Sequence, residues 1–241
     1  MISVIVPVYN CESSVVYTLE SILRSDFQDL EILVIEDGST DGSLRAVSSV
    51  RDAHPKKHIR VFSVTHRGVS AARNLGIAQA RGDRISFIDA DDRVDASFFG
   101  RLNQVMSAFD ADYVFCRMIT ETLRGESIPG KGPADFLCCE NEAGTILRSS
   151  IGDPSALCAY RMGSACNGLF KKEIIEQNGL RFEESAVYGE DCLFMYDSII
   201  LSQAWAVVKN RVYRSGIPGI TMRVSNQCPG FCPGFLEMGQ K

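Results

Sequence analysis

Little in this chain points to a zinc module, a disulfide scaffold, a membrane span or a nucleic-acid binder. Its nine cysteines are an odd number and scattered, at 11, 116, 138, 139, 158, 166, 192, 228 and 232. No C-x-x-C pair occurs, and His54, His58 and His66 lie far from any cysteine pair, so the spacings of structural zinc sites are missing. Cys228 and Cys232 stand close in the tail, but two thiols alone do not make a site. Reduced thiols in a cytosolic protein are the expectation. Basic residues are in deficit, 25 Lys and Arg against 30 Asp and Glu for a net charge of −5. That is the opposite of a nucleic-acid footprint. No apolar run approaches the roughly 18 residues a membrane helix needs; Ile32 to Ile35 sits inside a short strand-like run. Met1 leads straight into Ile2-Ser3-Val4-Ile5-Val6 without a basic stretch or cleavage site, so no secretion signal is expected. Two nucleotide loops are also missing. No G-x-G-x-x-G follows the first apolar run, and Gly125-x4-Gly130-Lys131 runs into Gly132-Pro133 where a phosphate loop needs Ser or Thr and a helix.

What remains is an ordinary globular chain of 241 residues, 45% hydrophobic and 23% charged, long enough to bury a core without staples. Its first 118 residues alternate strand and helix signals. Ile2 to Val8, Glu31 to Glu36, Ile59 to Val64, Arg84 to Ile88 and Ala111 to Met118 read as strands. Between them, Ser13 or Ser14 caps a helix through Val15, Leu19, Ile22 and Leu23, while Leu44, Val47 and Val50 mark a second. Ser70 to Ala80 is a small-residue helix. Asp95 caps the clearest one, with Phe98, Phe99, Leu102, Val105, Met106 and Phe109 at helical steps. Buried strands alternating with amphipathic helices predict a mostly parallel sheet covered on both faces. Beyond residue 118 the pattern loosens. Gly168 to Lys171 and Leu180 to Phe182 look like short strands and Glu190 to Leu201 like a helix, and residues 225–241 carry a doubled Cys-Pro-Gly-Phe with no periodicity. That tail is expected to contribute little to folding.

Ligands of such sheets bind beyond the carboxyl ends of the strands. Those ends read Val8-Tyr9-Asn10, Asp37-Gly38-Ser39 and Asp89-Ala90-Asp91-Asp92. A tyrosine ring can stack on a base, and a carboxylate can accept a hydrogen bond from a pyrimidine ring N–H. Asp89 and Asp91 offer hard oxygens of the kind Mg²⁺ and Mn²⁺ prefer. Each segment taken alone is equally a good turn or a helix cap. Their joint placement at the ends of one parallel sheet is what favours a site.

VIVPVYN, VIEDGSTDGS and GVSAARNLGIAQARGDRISFIDADD, followed by NGLFKKEIIEQNGLRFEE, YGEDCLFMYDSIIL and VYRSGIPGITMR, resemble the family 2 glycosyltransferases of the GT-A α/β fold over roughly residues 1–224. The resemblance implies a nucleotide-sugar-binding half at 1–118 and an acceptor-binding half of the same GT-A domain at 119–224, with 225–241 left as an irregular tail. It implies Pro7, Val8 and Tyr9 along the base and ribose, Asp37 on the base, and Arg73 near the diphosphate. Asp89 would lie near the ribose with Ala90 beside it, and Asp91 on a Mn²⁺ or Mg²⁺ ion bridging both phosphates. Asp191 matches the catalytic base, with Glu190 beside it, and Tyr213-Arg214 resembles a segment that closes over the donor. Acidic residues at 190 and 191 are otherwise ordinary first-turn residues of a helix.

The implied activity is metal-dependent, inverting transfer of a sugar from a nucleotide-diphosphate donor to a hydroxyl acceptor, a glycan or lipid-linked chain. No nucleic-acid partner and no transmembrane segment are expected, and the implied location is cytoplasmic, extending to peripheral association with the inner face of the membrane. A nucleotide-sugar-binding protein without transfer activity is the alternative. A sugar-phosphate nucleotidyltransferase fits less well, because Val8-Tyr9-Asn10-Cys11 has neither glycines nor a basic residue. Two departures from the family stand out. Cys166-Asn167-Gly168 replaces a common Trp-Asn-Lys, and few residues follow Gly219-Ile-Thr-Met.

Overall fold

The computed structural model describes residues 1–121, 127–129, 145–147, 164–186 and 188–215. The tail 225–241, the phosphate-loop-like glycines and most of 122–163 lie outside the described residues. In chain order the elements are β1 (Ile2–Val8), α1 (Val15–Leu23), β2 (Leu30–Glu36), α2 (Ser43–Ala53), β3 (His58–Ser63), α3 (Val69–Gln79), β4 (Arg84–Phe87), β5 (Arg93–Val94), α4 (Phe98–Phe109) and β6 (Tyr113–Glu121). Then follow β7 (Ser127–Pro129), β8 (Thr145–Leu147), β9 (Gly168–Lys171), α5 (Lys172–Gln177), α6 (Glu190–Leu201) and β10 (Trp205–Ser215).

The central strands run in the order β3-β2-β1-β4-β9-β6-β10. β1 is parallel to both β2 and β4, β2 to β3, and β6 to β10, while β9 is antiparallel to β4 and β6. The sheet is therefore mostly parallel, with β9 as the reversed strand that joins its two halves. β1 is buried along its whole length, as is β2 after Leu30, as expected of strands covered on both faces. Successive connections step from β1 out to β3, then return across β1 to β4. The crevice at that reversal opens between the carboxyl ends of β1 and β4, where an open α/β sheet holds its ligand.

Several local expectations change. Leu180 to Phe182 is not a strand. The Asn74 side chain takes both backbone groups of Phe182, accepting from its N–H at 2.8 Å and donating to its carbonyl at 2.9 Å, so no ladder partner is needed. Asp95 does not cap α4 with its carboxylate, which instead accepts from Arg214 Nε at 2.9 Å; only its carbonyl accepts from the Phe98 N–H. Ser14 sits at the start of α1 but turns its hydroxyl to the Cys11 carbonyl. Leu44 is exposed on α2, while Val47 and Val50 bury.

The second half of the sheet rests on aromatic rings. Phe182 and Phe194 stack at 4.1 Å, both meet Phe87 edge-on, and Tyr113 stacks on Phe170 at 4.3 Å. Gly168, where the family commonly has Lys, is the position that lets Tyr113 in. A Cβ at 168 would lie 2.5 Å from the tyrosine ring. Gly168→Ala should therefore lower stability by about 1–3 kcal/mol through overpacking. Urea unfolding checks this, and an unchanged midpoint would mean that Tyr113 moves aside freely.

Candidate active site

A cleft of about 310 Å³ opens at the reversal between β1 and β4. All eight residues expected on the nucleotide and metal side line it: Pro7, Val8, Tyr9, Asp37, Arg73, Asp89, Ala90 and Asp91. Cys11, His66, Val69 and Ala72 complete the wall. The loops after β1 and β2 are tied together, since Asn10 Oδ1 accepts from the Thr40 N–H at 2.9 Å and Ser39 Oγ accepts from the Asn10 N–H at 3.1 Å.

Arg73 is the hub. It lies on α3, a helix of small residues that packs on β1. Gly76, one turn on, is so close to β1 that a Cβ there would lie 2.4 Å from Ile5 Cγ2. That approach leaves the Arg73 side chain only 3% exposed. Its Nη1 donates to Asp191 Oδ1 at 2.6 Å and its Nη2 to Asp89 Oδ1 at 2.8 Å, with Glu190 at 3.5 Å. Below, the guanidinium sits 5.0 Å from the centre of the Phe182 ring. Burial disfavours the charge, but Asp89, the Cys166 thiol and Asp191 outweigh it and hold Arg73 protonated well above its ordinary range. One side chain thus joins the carboxyl end of β4 to the first turn of α6, about a hundred residues apart in sequence.

Asp191 is both things its sequence allows. It is a first-turn acid of α6, after Gly189 at φ 79°, and it is tied to Arg73 of the cleft wall, although neither it nor Glu190 lines the cleft itself. Burial pushes its carboxyl up; Arg73 pulls it down and Asp89 and Glu190 push it up again, leaving it at about 6. With Oδ1 on Arg73, Oδ2 is the oxygen left to take a proton; it accepts from the Ala165 N–H at 3.4 Å.

Asp89, Asp91 and Asp92 can each turn one carboxylate oxygen within 4.8 Å of the others. Asp92 is buried and accepts from Tyr213 Oη at 2.5 Å. Burial first, and then the charge of Asp89, push Asp91 up to about 6. Hard oxygens crowded so that ionisation is disfavoured are the donor set a divalent cation relieves, so these residues fit Mn²⁺ or Mg²⁺.

Tyr213 and Arg214 do not line the cleft, although the Tyr213 hydroxyl reaches Asp92 of the acidic turn. Tyr213 is wholly buried against Phe98 and Arg214 is paired with Asp95, so the expected donor-closing segment forms the far wall of the acidic turn. Sequence reading also passed over Asn74, which anchors Phe182 under Arg73, and His66, which stacks on Tyr9 at 3.9 Å. Asn in a helix interior is a weak local choice, and that was the available signal for a tertiary role.

The raised Asp91 has a stability consequence. Its native value lies above the unfolded one near 3.9, so its contribution is fully present below about pH 4 and is lost as pH rises through 6. In metal-free buffer Asp91→Asn should therefore stabilise the protein at pH 7.5 by on the order of 2 kcal/mol, with no gain at pH 4. Urea unfolding at the two pH values measures it; an equal effect at both would remove the charge-crowding explanation.

The model of glycosyl transferase family 2 matches residues 3–179. A Bacillus subtilis protein described as the uncharacterized glycosyltransferase EpsJ is 30% identical over 197 residues, 80% of this chain and 54% of its own length. The minor teichoic acid biosynthesis protein GgaA of the same organism is 27% identical over 219 residues, 88% of this chain and 46% of its own. The chain thus spans about half the length of these relatives. Among solved structures, S. aureus TarS 1-349 in complex with UDP-GlcNAc superposes with a TM-score of 0.73 at 23% identity, covering 89% of this chain and 58% of that one. The mannosyltransferase PcManGT of Pyrobaculum calidifontis, in complex with GDP-Man and Mn²⁺, gives 0.66 at 21% identity over 90% of this chain and 57% of its own. With its motifs gathered at the switch point of a GT-A sheet, the chain belongs to glycosyl transferase family 2.

Proposed function

We propose that this chain transfers a sugar from a nucleoside-diphosphate donor to a hydroxyl acceptor with inversion at the anomeric carbon. The observation that carries the reading is the single guanidinium of Arg73 holding both Asp89, in the acidic turn, and Asp191, in the first turn of α6. A carboxylate of the acidic turn and one raised to about 6 are thereby held on a single guanidinium that lines the cleft. Pro7, Val8 and Tyr9 line the base and ribose side, Asp37 accepts from the base, and Asp89 and Ala90 border the ribose. Asp91, with Asp89 and Asp92, would hold Mn²⁺ or Mg²⁺, which when bound would supply positive charge that offsets the leaving diphosphate.

Asp191 Oδ2 takes the acceptor's hydroxyl proton, and Arg73 keeps the carboxylate oriented and ionised near neutral pH. One base and one displacement suffice, so no carboxylate nucleophile is invoked. Glu190 adds charge beside Asp191 on the acceptor side. The named relatives, one of them a teichoic acid protein, support an acceptor among cell-surface polysaccharides or lipid-linked glycans. Among the described residues no helix is long and apolar enough to cross a membrane. The acceptor class fits a cytoplasmic location at the inner membrane face. In the same reading residues 1–118 form the donor half and 119–224 the acceptor half.

The test separates binding from chemistry. Titration with a panel of nucleotide sugars and Mn²⁺ should find a donor, whose metal-dependent binding Asp91→Ala weakens. Asp191→Asn should keep donor and metal binding while turnover falls by about 10²- to 10⁴-fold. The rise of activity with pH near 6 should disappear with it. Wild-type turnover in Asp191→Asn would remove the base from this position. Donor binding without acceptor-dependent turnover in the wild-type chain would favour the binding-protein alternative.

A further inference from the structure

The cleft already contains a planar heteroaromatic ring. The His66 imidazole lies on the Tyr9 ring with centroids 3.9 Å apart and planes 14° from parallel. Its Nδ1 lies 2.7 Å from Asp37 Oδ2 and 3.1 Å from the Asp37 carbonyl. Both neighbours are acceptors, so Nδ1 must carry the proton. A flat ring stacked on the tyrosine and giving a ring N–H to the buried aspartate is the pose that the donor reading assigns to a nucleobase.

While His66 is in place, Asp37 Oδ2 has no lone pair to spare for an incoming base. Asp37 is 2% exposed, with Oδ1 accepting from the Arg67 N–H at 2.9 Å and Oδ2 from the Gly68 N–H at 2.9 Å. Those backbone donors are fixed by the entry into α3. The imidazole is the replaceable one, its side chain 48% exposed. The spacing on Tyr9 is one ring thick, too narrow to admit a second ring between them. Gly38 sets the pair in place: at φ 69° it lies against the His66 backbone, whose nitrogen would be 2.8 Å from a Cβ at 38.

We infer that His66 is an internal stand-in for the base, and that a nucleotide donor enters by displacing it from Tyr9 and Asp37. This rests on the donor reading above and adds a self-competition to it. Because Asp37 accepts and His66 donates, the displacing base must bring its own ring N–H. Uracil at N3 and guanine at N1 qualify, whereas cytosine and adenine present acceptors at the corresponding atoms. Apparent affinity is lowered by the fraction of molecules in which the imidazole occupies the site.

Calorimetric titration of UDP, GDP and CDP with Mn²⁺ into the wild-type protein and His66→Ala tests this. UDP or GDP should bind the folded variant about 3- to 10-fold more tightly than wild type, with CDP weak in both. In parallel, NMR of the wild-type imidazole should show the bonded Nδ1–H signal of His66 lost at saturating UDP or GDP, which decides the matter even if the variant fails to fold. Unchanged or weaker binding by a folded His66→Ala, or a His66 signal unmoved by bound nucleotide, would overturn the stand-in while leaving the donor reading intact. Should no nucleoside diphosphate bind either protein, the donor reading itself would fall, and this inference with it.

Discussion

The arrangement depends on one buried guanidinium. Asp89, Asp91 and Asp92 crowd the turn after β4, Glu190 and Asp191 open α6, and Arg73 meets three of these five carboxylates at 2.6, 2.8 and 3.5 Å. Without it, the first turn of α6 would be repelled from the end of β4. With it, the two halves of the sheet share an electrostatic centre. A buried pair of this kind is weak evidence for net stability, since desolvation offsets much of the attraction, but removing one partner leaves uncompensated charge behind. Arg73 therefore reads as a positioning group: it specifies where Asp191 sits more than how stable the fold is.

Close packing makes that centre possible. The missing side chain at Gly76 lets α3 settle on Ile5, which carries Arg73 below the surface. Asn74, the next residue, grips the Phe182 backbone, and Phe182 in turn forms the floor under the guanidinium and stacks on Phe194 of α6. Helix, loop and helix are held in one chain of contacts, polar at the top and aromatic beneath. Burial first, and then the neighbouring carboxylates, raise Asp91 and Asp191 to about 6. One belongs to the acidic turn and the other to the first turn of α6, and in the proposed function they serve as cation ligand and proton acceptor.

Much of the fold was legible in the chain itself. The apolar runs of β1 and β2, the helical steps of α4 and the boundaries of α6 follow from periods of burial that no tertiary detail alters. So does the convergence of Tyr9, Asp37 and Asp89 on one edge, because a parallel sheet brings all its strand ends to the same side. Where local reading missed, a distant partner had taken over a local role. Asn74 replaced a strand neighbour for Phe182, and Arg214 drew the Asp95 carboxylate away from the α4 N-terminus.

The sequence by itself determined which residues carry charge, which segments bury, and that the donor-side motifs share a sheet edge, since those follow from hydrophobic period and chain order. Only the tertiary structure decided that Asp191 meets Asp89 through Arg73, that Tyr213 and Arg214 pair with Asp92 and Asp95, and that His66 lies on Tyr9. The reason is range. Burial patterns are encoded within a few residues, whereas these pairings join groups 16 to 121 positions apart, and their geometry exists only once the helices have packed.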